Sequence, residues 1–219
     1  MTTGSDASAQ GGPVVDLGIE GISGAQHIGS GGAADVYRAE QPRLGRTVAV
    51  KVLRANTSTE NRARFEREAQ TLGRLSNHPG IVTLHEAGLT GIGQPFLMME
   101  YCPAGTLADR TTREGAIGWQ ETCQVVADIA EVVDEAHAAG VLHRDLKPAN
   151  VLIDGRGKHL VADFGVAALS DTGNFSAAAD FTPGYAPPEA LRGEAATPAG
   201  DVYIPWRHRP CADHRPGAV

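Results

Sequence analysis

The residues best equipped for chemistry sit in one short stretch, His143-Arg144-Asp145-Leu146-Lys147-Pro148-Ala149-Asn150. Within it a carboxylate (Asp145), an ammonium (Lys147) and a carboxamide (Asn150) are too close in sequence to wander apart. Such a set can offer a base, a phosphate contact and a metal ligand to one reacting centre. A helix-like run precedes the stretch, and Val151-Leu152-Ile153 follows it with the composition of a strand. A second short strand pattern then leads to Asp163-Phe164-Gly165, thirteen residues beyond Asn150.

Other elements must hold these groups in place. Gly29-Ser30-Gly31-Gly32-Ala33-Ala34-Asp35-Val36-Tyr37-Arg38 reads as a turn of small residues between two strands. Small side chains let backbone N–H groups approach phosphate oxygens with no Cβ in the way. A dinucleotide-binding turn is excluded, because the strand-like Val36-Tyr37-Arg38-Ala39 stands where that turn needs a helix. A Walker A loop is excluded because no Gly-Lys-Ser/Thr follows. Thr47 to Leu53 alternates and is β-branched, a strand with Ala49 and Lys51 on one face. A lysine there either pairs with an acid or snorkels from a sheet edge to water. Glu60 to Leu75 reads as a helix with an apolar stripe of Phe65, Ala69, Leu72 and Leu75. Its Glu66 and Glu68 fall on different faces, and Glu68 suits either a distant cation or a surface i,i+4 contact. Further strands are expected at 80–87 and 95–101, giving about five strands and one helix between residues 22 and 101. A short helix holds Leu107 and Asp109. The longest amphipathic run, Gln120 to Ala139, places Val125, Val126, Ile129, Val132, Val133 and Ala136 at helical spacing, and Gly140 ends it.

Composition narrows the class. The formal charge of -7 argues against non-specific binding to nucleic acid or membranes. No apolar run approaches the roughly 18 to 20 residues of a membrane span, and no signal peptide opens the chain. Cys102, Cys123 and Cys211 lack framework spacing and read as reduced thiols of a cytoplasmic protein. Residues 1–18, poor in anything to bury, are expected to be a disordered tail.

The Gly-rich turn, Lys51, Glu68, the 143–150 loop and Asp163-Phe164-Gly165 resemble, in that order, the motifs of the bacterial eukaryotic-type (Hanks-type) serine/threonine protein kinases. The resemblance runs from about Ile22 to Tyr203. It implies an α+β, two-lobed, protein-kinase-like fold. The small β-rich lobe (19–100) would hold one long helix, and a mostly helical large lobe would begin at 101 and run to 203, incomplete. It also implies transfer of the γ-phosphoryl group of ATP to serine or threonine hydroxyls of protein substrates. Self-phosphorylation is a further expectation, and neither nucleic acid nor a membrane span is involved. Mg²⁺ is the expected metal, with Mn²⁺ as the alternative, because carboxylate, carboxamide and phosphate oxygens are hard donors.

Residue by residue, the resemblance makes Asp145 the group that accepts or orients the substrate proton and Lys147 a γ-phosphate contact. The Asp-x-Lys spacing is that of the serine/threonine branch. Asn150 and Asp163 would carry the metal. Ala49 would roof the adenine, and Lys51 would hold the α/β-phosphates with Glu68 as its ion-pair partner. Met99 would border the adenine pocket, and backbone groups of Glu100 and Cys102 would bond the base. Asp109 would meet the ribose, unless it is a helix N-terminal acid. Ile28, Gly29, Ser30, Gly31, Gly32, Val36 and Leu152 complete the nucleotide set. His143 would be a packing residue stacked with Phe164 and Leu72 rather than a general base. Arg144 would be a buried-site cation that takes its counter-charge from a phosphorylated Ser170, Thr172 or Ser176. Gly165, Thr182 and Glu189 belong to the activation segment, with Thr182 contacting Asp145 and Lys147. Asp201 would brace the backbone of the 143–150 loop. Three departures stand out: Ala34 replaces a third glycine, Phe181 a glycine, and Pro187-Pro188-Glu189 an Ala-Pro-Glu.

Beyond Tyr203 an apolar helix should follow, yet Pro205, Pro210 and Pro216 forbid a long one. Segment 204–219 is therefore expected to be an aberrant, disordered tail of a truncated or frame-shifted large lobe. Apolar area on the 120–139 helix would be left exposed and activity impaired. His208, Cys211 and His214 lack a fourth ligand, so no metal is assigned there. Two other readings stay open: a catalytically inactive nucleotide-binding or scaffold fragment, and a small-molecule phosphotransferase of related fold.

Overall fold

A computed structural model describes residues 12–31, 34–54, 59–164 and 187–203. Gly32, Gly165, Ser170, Thr172, Ser176 and Thr182, with segments 1–11 and 204–219, lie outside the described residues.

Alternating, β-branched runs give β2 (Ser23–Ser30), β3 (Ala34–Gln41), β4 (Arg46–Leu53), β5 (Leu84–Leu89) and β6 (Pro95–Glu100), preceded by a two-residue β1 (Val14–Val15). They form one antiparallel sheet in the order β1-β2-β3-β4-β6-β5. In β4, Val48, Val50 and Val52 enter one cluster with Ala39, Phe96 and Met98. The period of two turns Ala49 and Lys51 to the opposite face. The helix α1 (Thr59–Leu75) packs Phe65 and Ala69 against Leu53, Leu97 and Ala34.

Two boundaries differ from expectation. Val14 and Val15 pair with Gln26 and Ala25, so the fold takes in part of the segment assigned to a disordered tail. Both valines are exposed, and backbone pairing to the edge of β2 leaves no apolar pattern to read. The strand expected from residue 80 begins only at Leu84. Gly80 to Val82 bond elsewhere: Val161 N–H donates to the Gly80 carbonyl at 2.8 Å, and Val82 N–H to the Val161 carbonyl at 3.1 Å.

Below the sheet lie α2 (Leu107–Glu114), α3 (Trp119–Ala138), the antiparallel pair β7 (Val151–Ile153) and β8 (His159–Val161), and the short helices α4 (Pro188–Leu191) and α5 (Pro198–Tyr203). The α3 stripe is buried apart from the half-buried Val126, where an exposed apolar face was expected. Val125, Ile129, Val132, Val133 and Ala136 share a core with Leu75, Ile81, Leu107, Leu146, Val151, Val161 and Phe164. No helix among the described residues is long and apolar enough to cross a membrane.

Candidate active site

The reactive loop is held from below by Asp201, which is 2% exposed on α5. Its Oδ2 accepts from the His143 N–H at 2.7 Å and its Oδ1 from the Arg144 N–H at 2.6 Å. His137, at the end of α3, adds a third contact from Nε2 to Asp201 Oδ2 at 2.9 Å. Three donors compensate a buried carboxylate that would otherwise be costly. The two backbone bonds also fix Arg144 at φ 71°, a left-handed conformation that side chains adopt only under constraint. Sequence reasoning missed His137. Its partner lies 64 residues away, and a histidine near a helix end carries no other signal.

His143 is fully buried against Phe164, ring centroids 4.7 Å apart. Its Nε2 donates to the Ala162 carbonyl at 2.8 Å, while Nδ1 accepts from the Asp145 N–H at 3.3 Å. Burial pushes its pKa down, against the opposing pull of Asp201 and the Ala162 carbonyl. A neutral imidazole with both nitrogens engaged orients the loop and has no lone pair left for substrate.

The chemistry-bearing groups converge. Lys147 Nζ donates to Asp145 Oδ2 at 2.6 Å. The Asn150 carboxamide donates through Nδ2 to the Asp145 carbonyl at 2.7 Å and to Oδ2 at 3.2 Å. Asp145 Oδ1 takes no hydrogen bond among the described residues. Across the cleft, Lys51 Nζ lies 2.8 Å from Asp163 Oδ2. Asp163 itself sits at φ 66°, the only other non-glycine residue at positive φ among those described.

The expected ion pair between Lys51 and Glu68 is not formed. Glu68 is half-buried on α1, and the acid within reach of the ammonium is Asp163. A buried ammonium takes the nearest carboxylate that offsets its desolvation, and here α1 packs through Phe65 and Ala69 without bringing Glu68 to it. Arg144 also departs from expectation, since it is exposed and forms no ion pair among the described residues. Glu189 accepts from Thr197 Oγ1 at 3.1 Å and so ties α4 to the start of α5.

Between the lobes, β4 and β6 place Ala49 opposite Met99, and β3 places Val36 opposite Lys51. Met99 and Leu152 pack against the buried cluster of Val82, Cys102, Leu160 and Ala162 where the chain crosses from sheet to helices. Ile28 is half exposed on β2, next to Gly29, Ser30 and Gly31. Gly31 N–H donates to the Ala34 carbonyl at 2.8 Å and narrows the Gly-rich turn. Glu100, at the end of β6, uses its N–H on the Thr83 carbonyl at 2.9 Å. Burial pushes the Cys102 thiol up to about 12, which leaves it inert. Asp109 forms a capping box with Thr106, accepting its N–H at 2.9 Å and its hydroxyl at 2.7 Å. That is the helix-acid alternative, and the carboxylate remains exposed.

Asn150 and Asp163 are the candidate metal donors. Asn150 presents Oδ1 because Nδ2 is committed to Asp145, and Asp163 adds carboxylate oxygens. Two hard oxygen ligands suit Mg²⁺, which takes few protein ligands and completes its shell with phosphate and water. No group of three or more His, Cys, Asp or Glu side chains among the described residues could hold a metal.

Comparisons with known proteins identify the family. Residues 22–204 match the family model described as protein kinase domain. The chain is 40% identical over 186 residues to the serine/threonine-protein kinase PknK of Mycobacterium tuberculosis, covering 84% of this chain and 17% of that one. It is also 40% identical over 185 residues to PknB of Mycolicibacterium smegmatis, covering 80% of this chain and 29% of that one. The chain thus spans less than a third of the length of these curated relatives. The crystal structure of the PknI kinase domain of M. tuberculosis superimposes with a TM-score of 0.65 at 27% identity, covering 87% of this chain and 72% of that one. Matched over residues 22–204, the chain belongs to the protein kinase domain family.

Proposed function

We propose that this chain transfers the γ-phosphoryl group of ATP to serine or threonine hydroxyls of protein substrates. The observation that carries the reading is the Asp145 carboxylate: Oδ2 is held by Lys147 and Asn150, and Oδ1 takes no hydrogen bond among the described residues. Asp145 Oδ1 accepts the proton of the attacking hydroxyl and orients its oxygen. Lys147 is already beside that carboxylate and steadies the γ-phosphate. Lys51 holds the α/β-phosphates after exchanging its pairing with Asp163 for the nucleotide. Mg²⁺ bound by Asn150 Oδ1 and Asp163 would neutralise charge on the transferring group. Adenine would lie against Ala49, Met99, Cys102 and Leu152, between lobes at 19–100 and 101–203. Arg144, exposed and without an ion pair among the described residues, supports regulation by self-phosphorylation within the segment that holds Ser170, Thr172 and Ser176.

The test is ATP-dependent phosphorylation of a basic protein by the wild type and by Asp145→Asn, with phosphoamino-acid analysis of the product. Loss of general-base assistance should lower kcat by at least about 100-fold with phosphoserine and phosphothreonine as products. Undiminished turnover in the variant, or none in the wild type, rules the proposal out.

A further inference from the structure

The Gly-rich turn carries a side-chain network that makes none of the contacts described so far. Arg54, just after β4, directs Nε to Asp35 Oδ2 at 2.9 Å and Nη2 to Asp35 Oδ1. Its remaining arm, Nη1, reaches the Gly31 carbonyl at 3.3 Å. Asp35 Oδ1 also accepts the Ser30 hydroxyl at 2.7 Å, and Ser30 Oγ lies 2.8 Å from His27 Nε2. One guanidinium therefore ties together both limbs of the β2–β3 turn and the end of β4. The register explains how: Ala34 lies opposite Leu53 and Asp35 opposite Val52, so Arg54 stands one residue beyond the last pair, alongside the turn. The Arg54 guanidinium, and then the Ser30 hydroxyl, hold the Asp35 carboxyl down at about 2, so it is ionised throughout the neutral range.

An isolated exposed ion pair contributes little to stability. This one is bidentate, a geometry that fixes orientation as well as distance, and it closes on a backbone carbonyl of the turn itself. Its effect should fall on the shape of the turn more than on the stability of the fold. A glycine-rich segment loses considerable freedom when it closes over a ligand. Holding it near its bound shape beforehand removes part of that cost.

We propose that Arg54 and Asp35 form a clamp that sets the two limbs of the Gly-rich turn, ending at Gly31 and resuming at Ala34, at a fixed separation for binding nucleotide phosphates, with Ser30 and His27 as its outer contacts. Both are positioning residues, and the inference rests on the nucleotide site proposed above. Charge and shape predict different outcomes. If only charge mattered, removing the Arg54 cation would weaken binding of an anionic nucleotide, and removing the Asp35 anion would strengthen it. A clamp requires both changes to weaken it.

Titration calorimetry of Mg-ATP against the 219-residue chain separates these cases, using Arg54→Met, Asp35→Asn and the double variant, each checked for folding by circular dichroism. We expect Kd to rise about three- to fivefold in each single variant, and the double variant to be no worse than either single one, because the two residues act as a unit. Tighter or unchanged binding by Asp35→Asn overturns the clamp, as does a double variant whose effect is the product of the two. Phosphorylation of a basic protein is followed in parallel. The Kd pattern without wild-type turnover defeats the kinase reading of this chain and leaves the clamp standing. Turnover with unchanged Kd values defeats the clamp alone, and a wild type that does not bind Mg-ATP defeats both.

Discussion

A histidine in the middle of a reactive loop invites a role in proton transfer, and the surroundings of His143 remove it. Water is excluded, Nε2 serves the Ala162 carbonyl, and Nδ1 receives the Asp145 N–H. Placing the proton on Nε2 makes this side chain a strut between the loop and the segment ahead of Phe164. A pH dependence follows. The folded pKa lies below the ordinary histidine value of about 6.5. The unfolded chain therefore takes up a proton there that the folded chain refuses. The contribution of His143 to stability is present above about pH 6.5 and is lost as pH falls below it. Urea denaturation between pH 5 and pH 7.5 should show wild-type stability falling faster in acid than that of His143→Phe. The slopes should differ by up to about 1.4 kcal/mol per pH unit, one proton's worth. Parallel slopes would mean that other groups govern the acid response. The packing role of His143 follows from family resemblance, but the proton's location and His137 as the third support of Asp201 do not, because both depend on contacts made only after folding.

At the scale of elements, regular periodicity was legible and long-range backbone pairing was not. The α3 stripe and the alternation of β4 announce themselves, and the observed bounds of α3, Trp119–Ala138, lie within a residue of the sequence reading. The segment from Gly80 to Val82 looked like strand because its composition is that of a strand. It does pair, but with β8, whose residues lie about 80 positions further on. The partner of Lys51 was misplaced for a similar reason, since helical phase put Glu68 on α1 but could not say how closely α1 approaches β4. Gly80 offers a test of this local arrangement. A Cβ there would fall inside the contact distance of Val132 Cγ2 and 3.2 Å from the His78 ring. Val132 is buried and β-branched, so it has little freedom to yield. Gly80→Ala should therefore destabilise the fold by about 1 to 3 kcal/mol, as overpacking of a filled core does. Equilibrium denaturation would measure it, and an unchanged midpoint would show that the contact between Gly80 and α3 is looser than described.

Across the whole molecule, three apolar clusters meet at very few side chains. Leu72 packs against both the small-lobe cluster of Phe65, Ala69 and Leu97 and the large core built on α3 and Phe164. Met99 similarly joins the small-lobe cluster to the cluster around Cys102 and Leu160. Both line a small cavity of about 30 Å³ beside Asp163 and Phe164, where the lobes touch. A cavity that already exists cannot collapse easily around a further deletion. Leu72→Ala should therefore cost about 2 kcal/mol or more, toward the range for leucine truncation at sites that do not relax. The distribution of that loss matters more than its size. Hydrogen exchange should show protection falling in α1 and around Phe164, while β2 to β4 keep theirs through the separate cluster of Val48, Val50, Phe96 and Met98. A uniform fall across sheet and helices would instead make the two lobes one cooperative unit. In that case Lys51 and Asp163 would be held together by the global fold, and not by the narrow apolar bridge through Leu72 and Met99.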